Sequence, residues 1–119
     1  MRRLSTQVLT SDPEFQQNRQ SMLDQLAQLR EKLQEVQEGV GREKYVERHR
    51  SRGKLFVRDR IETLLDDGSP FLELGSLAAC DLYDGAAPGA GIVTGIGMVE
   101  GRQVMVIAND ATVKGGSYF

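Results

Sequence analysis

"GIVTGIGMVEGRQVMVIAND", residues 91–110, is the stretch that decides the fold. Two segments with the pattern of strands, residues 92–99 and 102–108, flank the dipeptide Glu100-Gly101. A two-residue connection with glycine in its second position is typical of a tight β-hairpin. The second run contains "VMVIA", which is continuously apolar, so we expect that strand to be buried on both faces.

The residues around the hairpin predict a small sheet. "FLEL", residues 71–74, supplies a third extended segment, and residues 77–91 form a loop rich in glycine and alanine. Gly95 and Gly97 should weaken the first hairpin strand unless another group packs closely on them. A sheet needs three or more strands and a covered face to be stable by itself, and no helical pattern follows the last strand. We therefore expect an unfinished sheet.

The residues before the sheet are patterned as helices. Ser11 and Glu14 have the spacing of a capping box, and Pro13 suits a first helical turn. A heptad pattern follows and ends near Glu38, carried by Met22, Leu26, Leu29, Leu33 and Val36 with Leu23 beside it. It is too short to indicate a coiled coil, so we expect the helix to pack on its own protein or on a neighbouring subunit.

A second, shorter helix is predicted immediately before the sheet. Its apolar face would hold Val57, Ile61, Leu64 and Leu65. "DDGSP" should end this helix, with Gly68 as a left-handed cap and Pro70 just beyond it.

Composition excludes several classes of protein. The chain has 119 residues, 39% of them hydrophobic, and a formal charge of −2, so no global bias toward nucleic acid or an anionic membrane exists. Because Cys80 is the single cysteine, an internal disulfide is excluded. His49 is the single histidine, so the sequence contains no cluster with the spacing of metal ligands. No apolar run is long enough to span a bilayer. We expect a cytoplasmic protein, although a degenerate organelle presequence is an open alternative.

Residues 42–60 form a basic run, "REKYVERHRSRGKLFVRDR". Such a run binds phosphates in some proteins, whether of nucleic acid or of a cofactor, and is a solvated helix face in others. Acidic residues are interleaved, and only Tyr45 and Phe56 could stack on a base. A solvated or cofactor-facing surface is therefore favoured over nucleic-acid binding.

The best candidate for a ligand loop is "TVKGGSYF", residues 112–119, directly after the buried strand. Gly115 and Gly116 would let the backbone approach a ligand closely, and Lys114 would offer a charge to a phosphate. An ordinary tight turn explains the same pattern equally well. A dinucleotide fingerprint at Gly89-x-Gly91 is rejected because a strand and not a helix follows it. No nucleophile-base pair or carboxylate pair is indicated.

Three motifs in series carry a family resemblance: "RGKLFVRDRIETLLDDGSPFLEL", "APGAGIVTGIG" and "VIANDATVKGGSYF". Over about residues 45–119 the chain resembles the start of the carboxyltransferase (beta) subunits of biotin-dependent acyl-CoA carboxylases. The run Ala-Thr-Val-Lys-Gly-Gly is typical of methylcrotonyl-CoA carboxylase. The resemblance implies an α/β fold, in which N-terminal helices precede the first strands of a crotonase-like (ClpP/crotonase) β-β-α domain that is incomplete in this chain.

The resemblance also implies a reaction and its partners. Carboxybiotin on a biotin-carrying alpha subunit would deliver carboxylate to 3-methylcrotonyl-CoA, with geranyl-CoA or another acyl-CoA as the alternative substrate. Glycine-rich turns would hold the enolate and ureido oxyanions, and in the family those turns lie later in the subunit. The expected localisation is cytoplasmic in a bacterium and the mitochondrial matrix in a eukaryote. Other beta subunits would complete a homo-oligomer.

Domain boundaries and site residues follow from the same resemblance. Residues 1–41 would be a tail and a heptad-patterned helix, and residues 42–119 the truncated start of the carboxyltransferase N-terminal domain. No catalytic or metal-binding residue is expected, and no cofactor is bound covalently. The residues expected to contact CoA are Ala111, Val113, Lys114, Gly115 and Gly116, with Arg52 and Lys54 facing its phosphates. A non-catalytic helical and β interaction module is the rival hypothesis.

Overall fold

Three α-helices precede a three-stranded antiparallel sheet in the computed structural model, which describes residues 5–117. The helices are α1 (Pro13–Glu38), α2 (Glu43–Ser51) and α3 (Val57–Leu64), and the strands are β1 (Leu72–Leu74), β2 (Ile92–Val99) and β3 (Arg102–Asn109). The sheet order is β1-β2-β3. The chain divides into two compact units, Met1–Glu31 and Lys32–Phe119. None of the helices in the described part of the chain is long and apolar enough to cross a membrane.

The first unit holds most of α1, whose start differs from the prediction. The side chain of Asp12, and not that of Ser11, caps the helix, because Asp12 Oδ1 accepts a hydrogen bond from the Glu14 N–H at 3.0 Å. Asp12 fills this role because its backbone carbonyl accepts the first helical bond, from the Gln16 N–H. The capping-box prediction was therefore wrong by one residue, while the predicted helix and its end at Glu38 are confirmed.

The hairpin is the best-defined part of the second unit. β2 and β3 pair from Ile92–Asn109 to Val99–Arg102, and Glu100 and Gly101 form the connection, both with positive φ. The Asp66 carboxylate accepts hydrogen bonds from the N–H groups of Glu100 at 2.6 Å and Gly101 at 2.8 Å. A side chain from outside the hairpin thus holds a turn whose backbone is otherwise unfavourable for glutamate.

One face of the sheet carries the core. Phe56, Val57 and Ile61 from α3 and the segment before it pack on Val93 of β2 and Val106 of β3, and all five are buried. Helix α3 presents Val57 and Ile61 to the sheet because they are four residues apart and therefore share one face. This packing confirms the predicted apolar face for those two residues, whereas Leu64 is 51% exposed.

The other face of the sheet is open. Met105 and Ile107 of β3 are 57% and 65% exposed, and Leu72 and Leu74 of β1 lie on the same side at 61% and 41%. The expectation that "VMVIA" would be buried on both faces is therefore wrong for the described residues, because nothing in residues 5–117 covers the second face. A strand that is apolar on both faces is suited to contact a second layer of structure, even where that layer is not formed by residues 5–117.

Two loops differ from the sequence prediction in detail. α3 ends at Leu64, and Gly68 lies in a separate turn in which the Ser69 N–H donates to the Asp66 carbonyl, so Gly68 does not cap the helix. The loop before β2 contains two short 3₁₀ turns, Tyr83–Gly85 and Pro88–Gly91. The predicted loop character of this segment is otherwise confirmed.

Gly95 and Gly97 are explained by what packs on them. A Cβ built on Gly95 would lie 2.3 Å from the Phe71 ring and 2.7 Å from the Leu72 carbonyl oxygen. A Cβ on Gly97 would lie 2.4 Å from a terminal methyl of Leu65. The two glycines are thus required by close contacts on the core face of β2, as the sequence indicated.

We expect Gly95→Ala to lower the free energy of unfolding by about 1–3 kcal/mol, because a ring and a backbone carbonyl cannot both move aside. Gly97→Ala should cost less, since its closest contact is the flexible end of Leu65 and the Phe71 ring lies farther away, at 3.3 Å. Urea unfolding of the two variants measures this difference. Equal losses, or no loss for Gly95→Ala, would show that Phe71 does not pack on β2 as described.

Candidate functional site

A cavity in the second unit has a volume of about 800 Å³. It lies among the end of α1, helix α2, the loop before β2 and the loop after β3. Its lining residues include Glu35, Val36, Gly41, Arg42, Tyr45, Arg48, His49, Arg52, Lys54, Cys80, Pro88, Ala111, Thr112, Val113, Lys114 and Gly115. We call it the α2 cavity. Its size is within the range of about 300–1,000 Å³ that holds small ligands and cofactors.

The charge around the α2 cavity is mainly positive. Five basic side chains line it, together with the imidazole of His49: Arg42, Arg48, Arg52, Lys54 and Lys114. Of these, Arg42 is paired with Asp110. Among the described lining residues Glu35 is the one acid. Arg48, Arg52 and Lys54 have no ion-pair partner among the described residues, whereas Arg50, on another side of α2, pairs with Asp59 at 3.0 Å. The cavity is therefore suited to an anionic ligand.

The loop after β3 forms one wall of the cavity and has an unusual backbone. Lys114, Gly115 and Gly116 all have positive φ, at 42°, 69° and 86°. For Lys114 this conformation is strained, while the two glycines adopt it without cost from a Cβ. Asn109 Nδ2 donates to the Gly116 carbonyl oxygen at 2.8 Å and so closes the loop at its far end.

The near end of the loop is tied to a buried ion pair. Arg42 Nη1 donates to Asp110 Oδ2 and to Thr112 Oγ1, each at 2.7 Å, and both charged side chains are about nine-tenths buried. Arg42 Nη2 also donates to the carbonyl oxygen of Val36 at 3.3 Å. The arginine thus joins the end of α1 to the loop that lines the cavity.

The structure brings most of the predicted site residues together. Six of the seven line the α2 cavity: Arg52, Lys54, Ala111, Val113, Lys114 and Gly115. Gly116 does not line it. Gly116 instead lies against the backbone of Ala111, because a Cβ added at Gly116 would be 3.5 Å from the Ala111 Cα. Residues 52–54 and 111–115 are far apart in sequence, and only the packed structure shows that they share a cavity.

Arg42, Asp110 and Thr112 were missed as site residues by the sequence reasoning. The sequence places Arg42 within the basic run and Asp110 just beyond the predicted strand, and it indicates no role for either residue. A single charged residue directly after a buried strand was the available indication, since a carboxylate there needs a partner. Its partner is separated from it by 68 residues, and spacing alone does not reveal it.

No catalytic arrangement is found among the described residues. Cys80 and His49 both line the α2 cavity, but no hydrogen bond joins their side chains. Ser117 Oγ donates to the carbonyl oxygen of Lys114 at 2.8 Å and so belongs to the turn. No group of His, Cys, Asp and Glu side chains suited to a metal ion occurs in the part of the chain that the structure describes.

Two exposed groups near the cavity have perturbed pKa values. Hydrogen bonds from the backbone N–H groups of Glu43 itself and of Gly41 hold the pKa of the Glu43 carboxyl below its usual range. A hydrogen bond and charge attraction from Asp81 raise the pKa of the Lys32 ammonium. Gly41 itself lines the cavity, and Asp81 directly follows the lining residue Cys80.

Comparison with known proteins identifies the class of protein to which this fold belongs. A family model for the carboxyl transferase domain matches residues 48–119. The chain belongs to this family. The matched residues include α3, the whole sheet and the loop after β3, which confirms the family resemblance noted in the sequence.

Relatives point to one group within the family. The chain is 56% identical over 94 residues to the biotin-dependent 3-methylcrotonyl-coenzyme A carboxylase beta1 subunit of Mycobacterium tuberculosis, covering 79% of this chain and 18% of that protein. It is 48% identical over 117 residues to a probable mitochondrial methylcrotonoyl-CoA carboxylase beta chain of Drosophila melanogaster, covering 98% and 20%. The chain therefore spans about a fifth of the length of these relatives.

Solved structures of beta subunits share the fold. The beta subunit of P. aeruginosa geranyl-CoA carboxylase matches with a TM-score of 0.77 and 34% identity, over 97% of this chain and 21% of that one. The transcarboxylase 12S core, solved as a hexamer with methylmalonyl-coenzyme A bound, matches with a TM-score of 0.64 and 36% identity, over 81% and 19%. The helices and the three-stranded sheet thus correspond to part of a carboxyltransferase.

We expect a titration to place the pKa of Glu43 below that of a glutamate in an unfolded peptide, about 4.3. Because its pKa is lowered by folding, Glu43 stabilises the native state above the unfolded pKa, and this contribution is lost as the pH falls through the folded pKa. NMR detection of the side-chain carboxyl carbon gives the value directly. A midpoint at or above the peptide value would show that Glu43 does not accept the Gly41 N–H.

Proposed function

We propose that this chain supplies one side of an acyl-CoA site in the carboxyltransferase beta subunit of a biotin-dependent acyl-CoA carboxylase. One observation carries the proposal: the basic residues at the end of α2 and the loop after β3 line the same cavity. CoA carries three phosphate groups, and its recognition requires cations and a backbone that can approach closely. The α2 cavity offers both.

The roles of the residues follow from their chemistry. Arg52 and Lys54 neutralise phosphate oxygens, and an arginine fork can contact two oxygens of one phosphate. Gly115 has nothing within 4 Å of where a Cβ would lie, so the backbone there is accessible to a ligand. Ala111 is exposed and offers apolar surface to the ligand, whereas Val113 is buried and supports the loop from behind. Binding, and not bond making, is the task of these residues.

Carboxyl transfer itself is assigned to the complete subunit. Biotin, bound to a partner alpha subunit, would bring the carboxylate, and the oxyanion-holding turns of the family lie outside the residues quoted for the resemblance. Carboxybiotin therefore has no assigned position in this chain. By itself, the 119-residue chain should neither decarboxylate malonyl-CoA nor accept carboxylate from carboxybiotin.

For the complete subunit we infer 3-methylcrotonyl-CoA as the substrate, with geranyl-CoA as the alternative. Supporting this choice, the identity to the mycobacterial 3-methylcrotonyl-CoA carboxylase subunit is 56%, against 34% to the geranyl-CoA carboxylase subunit. A carboxylation assay of the complete subunit with its biotin-carrying partner, supplied with each acyl-CoA in turn, would decide. Preference for the geranyl thioester would reverse the assignment.

Removing two cavity cations should weaken CoA binding. We expect the double variant Arg52→Ala/Lys54→Ala to raise the Kd for CoA at least about tenfold, which corresponds to about 1.4 kcal/mol. Isothermal titration calorimetry of the chain with CoA measures the Kd. Added salt should narrow the difference because it screens exposed charges.

The matched control removes the same charge elsewhere. The double variant Arg19→Ala/Arg30→Ala also removes two positive charges, but from exposed positions of α1 that do not line the cavity. Its Kd for CoA should stay within about twofold of the unchanged chain. If both double variants weaken binding equally, the effect is one of net charge, and the α2 cavity is not the CoA site.

A further inference from the structure

We propose that Arg42 is a positioning residue: it fixes the loop at residues 110–116 as a wall of the α2 cavity. The inference rests on the proposed function, because it concerns how that cavity is kept ready for an anionic ligand. Arg42 acts through Asp110 and Thr112. Arg42 also lines the α2 cavity, so a change of Kd alone does not distinguish positioning from direct contact with the ligand, whereas faster amide exchange in the loop does.

The contacts of Arg42 converge on the first turn of the loop. Asp110 uses both carboxylate oxygens: Oδ2 accepts from Arg42, and Oδ1 accepts from the Thr112 N–H at 2.8 Å and from Thr112 Oγ1 at 2.6 Å. The Asp110 carbonyl oxygen in turn accepts from the Val113 N–H at 3.0 Å. The guanidinium therefore orients a carboxylate that holds two successive residues of the loop.

The turn fixed in this way determines where the ligand-facing residues lie. Val113 is only 2% exposed and packs against the backbone of Gly91, where an added Cβ would be 3.1 Å from a Val113 methyl. Lys114 follows directly and adopts a strained positive φ of 42°. A strained residue keeps its conformation only where its neighbours hold it. Arg42, together with Asn109 at the other end of the loop, supplies that restraint.

A second buried pair offers a matched control. Arg58 Nη1 and Nη2 donate to the two oxygens of Glu73 at 2.7 and 2.8 Å, joining α3 to β1. Arg58 does not line the α2 cavity, and its side chain is 22% exposed against 10% for Arg42. Loss of either arginine leaves a carboxylate without its partner, so both changes should destabilise the chain.

The test compares Arg42→Met with Arg58→Met in the full chain by two measurements. Amide hydrogen exchange should become faster at Thr112, Val113 and Gly116 in Arg42→Met only. The Kd for CoA should rise on the order of tenfold in Arg42→Met and stay within about twofold in Arg58→Met, because a loosened loop must be ordered on binding. The exchange rates and the Kd of Arg42→Lys should fall between those of the unchanged chain and Arg42→Met. Lysine keeps a positive charge for Asp110 but lacks the two guanidinium N–H groups that bind Asp110, Thr112 and Val36 together.

The outcomes separate this inference from the proposed function. Unchanged exchange in the loop, or equal changes of Kd in Arg42→Met and Arg58→Met, would overturn the positioning role. If Arg42→Met does not fold, Thr112→Val removes the hydroxyl that bridges Arg42 and Asp110 while their direct contact remains, and it should give the same pattern with smaller changes. If the unchanged chain does not bind CoA, the proposed function is wrong, while the exchange data still decide whether Arg42 holds the loop.

Discussion

The second unit depends on the buried ion pair between Arg42 and Asp110. Both side chains are about nine-tenths buried, and their closest atoms are 2.7 Å apart. Two charges are stable in such a place only when each satisfies the other, and removing one partner of a buried pair typically costs about 3–5 kcal/mol. The pair links the segment after α1 to the end of β3. It thereby sets the distance between the basic end of α2 and the loop that faces it.

The sheet supplies a rigid base for this arrangement but has only one covered layer. α3 covers the face that carries Val93 and Val106, while Met105 and Ile107 remain exposed on the other. The α2 cavity is built at the end of the sheet where β3 leaves it, so the cavity does not require the open face. The proposed anion site and the open face are therefore separate features of this chain, and residues have been assigned a role at the proposed site alone.

Much of the fold could be predicted from the sequence because its determinants are local. The Glu100-Gly101 connection fixes the hairpin register, and the spacing of Val57 and Ile61 fixes the covered face of α3. The expectation that "VMVIA" is buried on both faces was wrong for the described residues. An apolar pattern shows what a strand is suited to contact, but it does not show whether residues 5–117 contain the layer that would contact it. Six of the candidate site residues lie at one cavity, yet their association with CoA came from the family resemblance and not from spacing. Arg42 could not be predicted, since its partner lies 68 residues away.

The most direct test of this account is an NMR titration of the 119-residue chain with CoA, followed through the backbone amide resonances. The account predicts that the largest shifts fall on Arg52, Lys54 and the loop at Lys114 and Gly115, with the hairpin turn at Glu100 and Gly101 unaffected. Saturable shifts located on the open face, at Leu72, Met105 and Ile107, would contradict it. Uniform small shifts without saturation would equally show that the α2 cavity does not bind CoA.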